Sequence, residues 1–159
     1  MTDARIKVVE FTDFQCPACA GAAEILHKMM QQDGARMFLQ LKYFPLDKHK
    51  NALKAAVAAE CALAQGKFWP MQDAIFSRQK GWATLDDPLP FFVQLGRDIG
   101  INDVEMTHCV ADAAVAVRVQ ADVAEGKRLG VSGTPTFFVN GKMAVGGKAF
   151  EEALKGVKP

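Results

Sequence analysis

This sequence carries almost no excess of either charge: 19 Lys and Arg stand against 18 Asp and Glu, a formal net charge of +1. No basic stripe is visible, so nucleic acid is not an expected partner. The apolar runs are short and interrupted, so no segment is expected to insert into a membrane. There are no repeats, low-complexity tracts or linker-like stretches, which argues against solenoids and strings of domains. Histidine is scarce. His27, His49 and His108 are the whole supply, none has a matching catalytic partner in sequence, and all three are expected to be solvated. Cysteine is scarce too: four in 159 residues are too few for a disulfide scaffold. A structural zinc site prefers two close pairs. Only Cys16 and Cys19 are close, whereas Cys61 and Cys109 stand far apart. No metal and no organic cofactor is expected. A signal peptide is also missing, since Met1–Arg5 runs almost directly into a strand-like segment. Either the protein is cytosolic or a targeting segment has been removed.

What is present is an ordinary globular composition, half hydrophobic and 23% charged, long enough for one domain with a sizeable core. "RIKVVEFTDF" (5–14) reads as a buried strand. A helix is expected from Pro17 to about Gln32, with Pro17 at the first helical position. Ala18, Ala22, Ile25 and Met29 form its apolar stripe, and Gly34 ends it. "ARMFLQLKYFPL" (35–46) is a second strand. The middle is helical: 51–66, 68–79, 89–100, 102–112 capped by Asn102 or Asp103, and 112–129, with a loop at 81–90. "TPTFFVNGKMAVGG" (134–147) reads as two strands joined by Asn140-Gly141, a strong hairpin signal. "KAFEEALKG" (148–156) closes the chain as a helix.

The chemistry concentrates in "FTDFQCPACA" (11–20). A strand feeding a helix places Cys16 at the helix N-terminus, where free N–H groups and the positive end of the dipole favour a thiolate. Cys16 is then the exposed attacking sulfur. Cys19, one turn inward, is placed to attack a mixed disulfide formed on Cys16. Glu10 lies on the alternate face from Val9 and Phe11 in an otherwise apolar strand. Buried there, its carboxyl would titrate high and exchange protons with Cys19; the plainer reading is an edge-strand Glu in solvent. Thr134-Pro135 precedes a strand. Taken alone, that bond is expected to be trans, because X-Pro is cis in only about 5–6% of folded cases.

Together, "VVEFTDFQCPAC", "GKFW" and "GVSGTPTFFVNG" resemble the thioredoxin superfamily, and more closely its DsbA-like thiol:disulfide interchange branch. The resemblance covers nearly the whole chain. It implies an α/β thioredoxin-like fold, β-α-β then α-β-β-α, in a single domain: a core at 4–46 and 130–157 with an all-helical insertion at 47–129. It implies Cys16 as nucleophile, Cys19 as resolving cysteine, Glu10 as buried acid, and a cis Pro135 packed against the active-site pair. Thr134 would offer backbone hydrogen bonds to a substrate peptide. Between the cysteines stand Pro17-Ala18, not the Pro-His of strongly oxidising members. Ala18 brings neither charge nor donor, so a less acidic Cys16 and a weaker oxidant are expected.

Cys61 and Cys109 both point inward in the helical block. They are read either as buried free thiols or as a structural disulfide, and the resemblance favours the disulfide because some relatives carry one there. Phe68, Trp69 and Phe76 are expected in the block's core. Phe14 and Gln15, with Met143 and Val145, are expected as an exposed apolar rim for substrate. The implied function is thiol–disulfide exchange on protein or peptide substrates, first in the direction of disulfide formation. The alternatives are a reductase or isomerase on the same site, or a non-catalytic thioredoxin-like module. The implied compartment is periplasmic or otherwise extracytoplasmic, with a membrane redox partner to recycle the cysteine pair. Relatives fused to a membrane-embedded reductase make a piece of a larger protein a further reading.

Overall fold

The structure is a computed structural model that describes residues 6–157. Ala4 and Arg5, where the core and its first strand are expected to begin, lie outside the described residues. β1 (Ile6–Thr12), rich in β-branched residues, is the central strand. It pairs in parallel with β2 (Met37–Tyr43) and antiparallel with β3 (Thr136–Val139), which pairs in turn with β4 (Lys142–Val145). The order is β2-β1-β3-β4. The β3–β4 turn is made by Asn140 (φ 50°) and Gly141 (φ 84°), both in the left-handed region that a tight two-residue hairpin requires.

Side chains alternate across β1, so each face has its own cover. Ile6 and Val8 meet Ala22 and Leu26 of α1 (Pro17–Asp33) and Phe150 and Leu154 of α8 (Gly147–Val157). Phe137 stacks flat on Phe150, ring centroids 4.0 Å apart. Phe11 faces the other way, against Phe44, Val123 and Val131. This is the α/β thioredoxin-like architecture, reached with small shifts at the ends of elements. Gly34 is right-handed (φ −55°), so α1 is not closed by a left-handed glycine. The chain tightens instead into a 3-10 turn, Gly34–Arg36, and β2 starts at Met37.

Between β2 and β3 lie α2 (Ala52–Ala64), α3 (Phe68–Ser77), α4 (Gln79–Trp82), α5 (Leu89–Asp98), α6 (Asp103–Ala111) and α7 (Ala113–Arg128). The buried alanines of α2, Ala55, Ala56, Ala58, Ala59 and Ala62, let its neighbours approach closely around Met71, Ile75, Trp82, Phe92 and Met106. Asn102 caps α6, its side chain accepting from the Glu105 N–H at 2.9 Å. Two readings of this region are corrected. Gln79–Trp82 is helical, because Trp82 is fully buried and its indole N–H donates to the Ile75 carbonyl, so the expected loop starts later. Trp69 is 48% exposed and is not core, while Phe68 and Phe76 pack partly buried against the block.

Cys61 of α2 is disulfide-bonded to Cys109 of α6, Cα atoms 5.8 Å apart and 48 positions apart in sequence. Closing a loop of that length removes about 4 kcal/mol of unfolded-chain entropy in the simplest account. α7 serves both layers. Val115 and Val119 pack into the helical block, and Val123 packs against the sheet. At Gly126 a Cβ would stand 2.8 Å from the Phe44 ring and 3.1 Å from Phe11, so only glycine lets α7 lie this close. Packing thus changes partners within α7. Among the described residues no helix is long and apolar enough to cross a membrane.

Candidate active site

The strand-to-helix junction fixes the cysteine pair. Cys16 is the N-cap of α1 with extended backbone, Pro17 follows as first helical residue, and the Cys16 carbonyl accepts from Cys19 N–H (3.1 Å) and Ala20 N–H (3.3 Å). The Cys16 side chain is more enclosed than expected, 7% exposed. It opens on a cleft of about 670 Å³ that Pro17, Lys48, His49, Gly133 and Thr134 also line. Cys19 is fully buried and free, its sulfur accepting from the Asp13 N–H at 3.4 Å.

The two sulfurs are pushed in opposite directions. The Cys19 thiol donates to Cys16 and, with the Thr134 hydroxyl and the backbone N–H groups of Cys19 and Ala18, holds Cys16 down at about 5 against the opposing effect of burial. Cys19 is pushed up, first by burial and then by the bond it donates. The reduced pair is therefore one thiolate and one thiol, sharing a proton. In the neutral form the Cys16 thiol lies 3.6 Å from the Thr134 carbonyl oxygen. The Thr134-Pro135 bond is cis. The Thr134 hydroxyl is buried with no other hydrogen-bond partner among the described residues, which leaves its proton for the sulfurs.

Glu10 is 1% exposed, on the face of β1 that α1 covers, flanked in register by Leu41 and Phe137. It is no edge-strand carboxylate. Burial, with a smaller contribution from the Cys16 charge, pushes it up to about 8, so it is protonated at neutral pH. Its Oε2 has no hydrogen-bond partner among the described residues, which a neutral acid tolerates far better than a carboxylate.

The expected rim is corrected. Phe14 is 1% exposed, its ring 5.0 Å from Phe76 and 6.2 Å from Tyr43, so it anchors the turn to the helical block. Gln15 is spent the same way: its Oε1 accepts from Asn51 N–H (2.9 Å) and its Nε2 donates to the Ala83 carbonyl (3.4 Å). Met143 (40%) and Val145 (61%) are exposed, as are Pro17 and Ala18.

Three residues escaped the sequence reading. Gln79 donates to the carbonyls of Phe14 (2.7 Å) and Cys16 (3.1 Å), holding the turn from α4. Asp13 is buried and accepts from Gln15 N–H (2.7 Å), Leu46 N–H (2.9 Å) and His49 Nδ1 (2.7 Å). His49 is therefore not a solvated loop residue; its side chain is 19% exposed and paired. His27 and His108 are exposed. Asp13 had a local signal, the bond to the N–H two residues on that Asp makes in turns. Gln79 and His49 had none. Cys61 and Cys109, being bonded to each other, are not thiolate ligands for a metal.

The comparisons with known proteins agree with this geometry. A family profile described as thioredoxin matches residues 1–158. BdbD from Bacillus subtilis, oxidised, superposes with a TM-score of 0.83 at 21% identity, covering 99% of this chain and 89% of that one. Wolbachia pipientis alpha-DsbA1 also gives 0.83 at 21% identity, covering 99% and 87%. Among curated sequences, the Na(+)/H(+) antiporter NhaA 1 of Mycolicibacterium vanbaalenii is 34% identical over 142 residues, 87% of this chain and 22% of its own length. The chain thus spans about a fifth of the curated relatives it matches.

Proposed function

Because the chain belongs to the thioredoxin family and has a DsbA-like fold, we propose that it catalyses thiol–disulfide exchange on protein substrates, in the direction of disulfide formation. The observation that carries this is the division of labour at the pair: Cys16 held as a thiolate at the mouth of a cleft, Cys19 held as a thiol behind it. A substrate thiolate attacks Cys16 Sγ of the oxidised pair. The Cys16–Cys19 bond breaks, its electron pair leaves on Cys19, and Cys19 takes a proton, for which the neutral Glu10 is the buried source. A second substrate thiolate then attacks the substrate sulfur of the mixed disulfide and expels Cys16 as a thiolate. The substrate has lost two electrons and two protons; the protein keeps both electrons and one proton, as a Cys16 thiolate and a Cys19 thiol, and the other proton is released. Whatever stabilises the Cys16 thiolate stabilises that reduced state and makes the disulfide a stronger oxidant.

Thr134, beside Pro135, is the backbone that receives the substrate peptide, and Pro17 and Ala18 form the exposed lip. The whole chain acts as one domain. Electrons leave to a membrane-bound redox partner in an extracytoplasmic compartment. Two facts support that setting. The Cys61–Cys109 disulfide suits an oxidising compartment. The matched relatives, named Na(+)/H(+) antiporters, show that a segment like this one occurs within a longer protein with a membrane function. A Cys16 value of about 5 lies between the roughly 3.5 and 7 of strongly oxidising and reducing members. That intermediate value favours reductase or isomerase action on the same site as the second reading. Oxidation of a reduced two-cysteine peptide in glutathione buffer tests the proposal: the protein accelerates it, and no acceleration over buffer overturns it.

A further inference from the structure

Exchange at Cys16 leaves one proton unassigned. A substrate cysteine has an ordinary thiol, mostly protonated at neutral pH, yet only its thiolate attacks. Glu10 is buried and serves the leaving sulfur, that of Cys19, not the incoming one. The cleft in front of Cys16 holds a different group. His49 lines it, as do Lys48 and Thr134. Its Nδ1 is 2.7 Å from Oδ2 of Asp13, a side chain with no exposure. Both Asp13 oxygens already accept from backbone N–H groups, those of Gln15 and Leu46. Asp13 therefore meets Nδ1 as an acceptor, and Nδ1 carries the proton. That fixes the tautomer and leaves Nε2, with its lone pair, as the ring's remaining polar atom. A buried carboxylate orienting one imidazole nitrogen so that the other can take a proton is the general base–orienter arrangement of nucleophilic catalysis. Here the acid arrives from the substrate rather than from the protein's own nucleophile.

We propose that His49, oriented by Asp13, is a further catalytic residue: its Nε2 takes the proton from the substrate thiol that attacks the Cys16–Cys19 disulfide. The inference rests on the exchange activity proposed above. The step balances. The substrate S–H proton passes to Nε2, and the substrate sulfur bonds to Cys16 Sγ. The Cys16–Cys19 electron pair goes to Cys19, and His49 returns its proton to solvent once the mixed disulfide has formed. In the reverse direction the protonated His49 donates to the departing substrate sulfur, which serves a reductase as well. Asp13 is a positioning residue that also holds the turn, through Gln15, and the segment after β2, through Leu46.

The test separates proton removal from folding. His49→Asn keeps an N–H where Nδ1 stood, so the Asp13 contact survives while the base is lost; His49→Gln is measured beside it. Each oxidised variant reacts with two probes at pH 7: a cysteine peptide, whose alkyl thiol must lose a proton, and an aromatic thiol already ionised at that pH. Full ionisation of an alkyl thiol of pKa ~8.5 is worth at most about 30-fold at pH 7. The expected result is a loss of roughly tenfold against the cysteine peptide, with the rate against the aromatic thiolate unchanged. An equal loss against both probes means His49 only shapes the cleft and overturns the proposal, as does no loss against either. The wild-type rates report the exchange activity itself, and the variant-to-wild-type ratios report His49, so the two readings fail separately.

Discussion

The two cysteine pairs of this chain show how position decides what a disulfide is for. Cys16 and Cys19 are three positions apart at the start of α1, and their pairing closes almost no loop. Cys61 and Cys109 are 48 positions apart and tie α2 to α6. Chain entropy therefore gives the second pair its stabilising role and gives the first pair little. Electrostatics reverses the ranking. The first pair sits where an N-terminal helix turn, the Thr134 hydroxyl and a shared proton separate the two thiol affinities. The second is buried at Cys61 among the alanines of α2. On one scaffold, one pair is held as a thiolate and a thiol and the other is closed as a disulfide.

Four changes would break or sharpen that contrast. The largest effect is expected from Cys16→Ser, which removes the attacked sulfur and abolishes exchange, while the denaturation midpoint of the reduced protein at pH 4, where the Cys16 thiolate is mostly protonated, stays close to wild type. A residual exchange rate would mean that Cys19 is reachable after all. The Cys61→Ser/Cys109→Ser double variant should do the converse, losing about 4 kcal/mol of stability in urea melts and keeping the exchange rate per folded molecule. A loss of exchange without a loss of stability would contradict the division of roles.

Glu10→Gln is expected to act through pH. The folded value of Glu10 is raised to about 8 from an ordinary 4.5, so its favourable contribution is complete below about 4.5 and is lost as pH rises through about 8. Relative to the variant, wild type should lose a few kcal/mol over that window, with a narrower gap in the oxidised protein, where Cys16 carries no charge. Urea midpoints from pH 4 to 9 decide it, and parallel curves would mean that the Glu10 carboxyl is hydrated. The smallest effect is expected from Gly126→Ala, which drives a methyl into Phe44 and Phe11 and should cost ~1–3 kcal/mol, with the exchange rate unaffected.

What was legible in the sequence was local. A Val-rich strand, Pro17 behind Cys16, an Asn-Gly hairpin and an Asn102 cap each carry their structural signal within a few residues, and each stands where it was read. What was hidden depends on distant partners. Phe14 looked free because the rings that bury it, Tyr43 and Phe76, lie 29 and 62 positions away. His49 looked solvated because Asp13 is 36 positions off. The grip of the helical block on the turn, through Gln79 on the Cys16 carbonyl and Asn51 on Gln15, follows only once α2 and α4 are placed. Trp69 shows the opposite failure: an apolar residue in an apolar helix, left on the outer side because α3 presents Met71 and Ile75 to the core. Thr134-Pro135 divided the two ways of reading, the segment alone pointing to trans and the resemblance to cis; the bond is cis.

The most direct test is a redox titration against glutathione, with each cysteine's state read by alkylation and mass. The account predicts a Cys16–Cys19 potential near about −120 to −180 mV, the range of disulfide donors, with Cys61–Cys109 still oxidised when the first pair is fully reduced. A Cys16–Cys19 potential near about −270 mV, that of a thioredoxin, would contradict disulfide donation, and reduction of both pairs together would contradict the division between them.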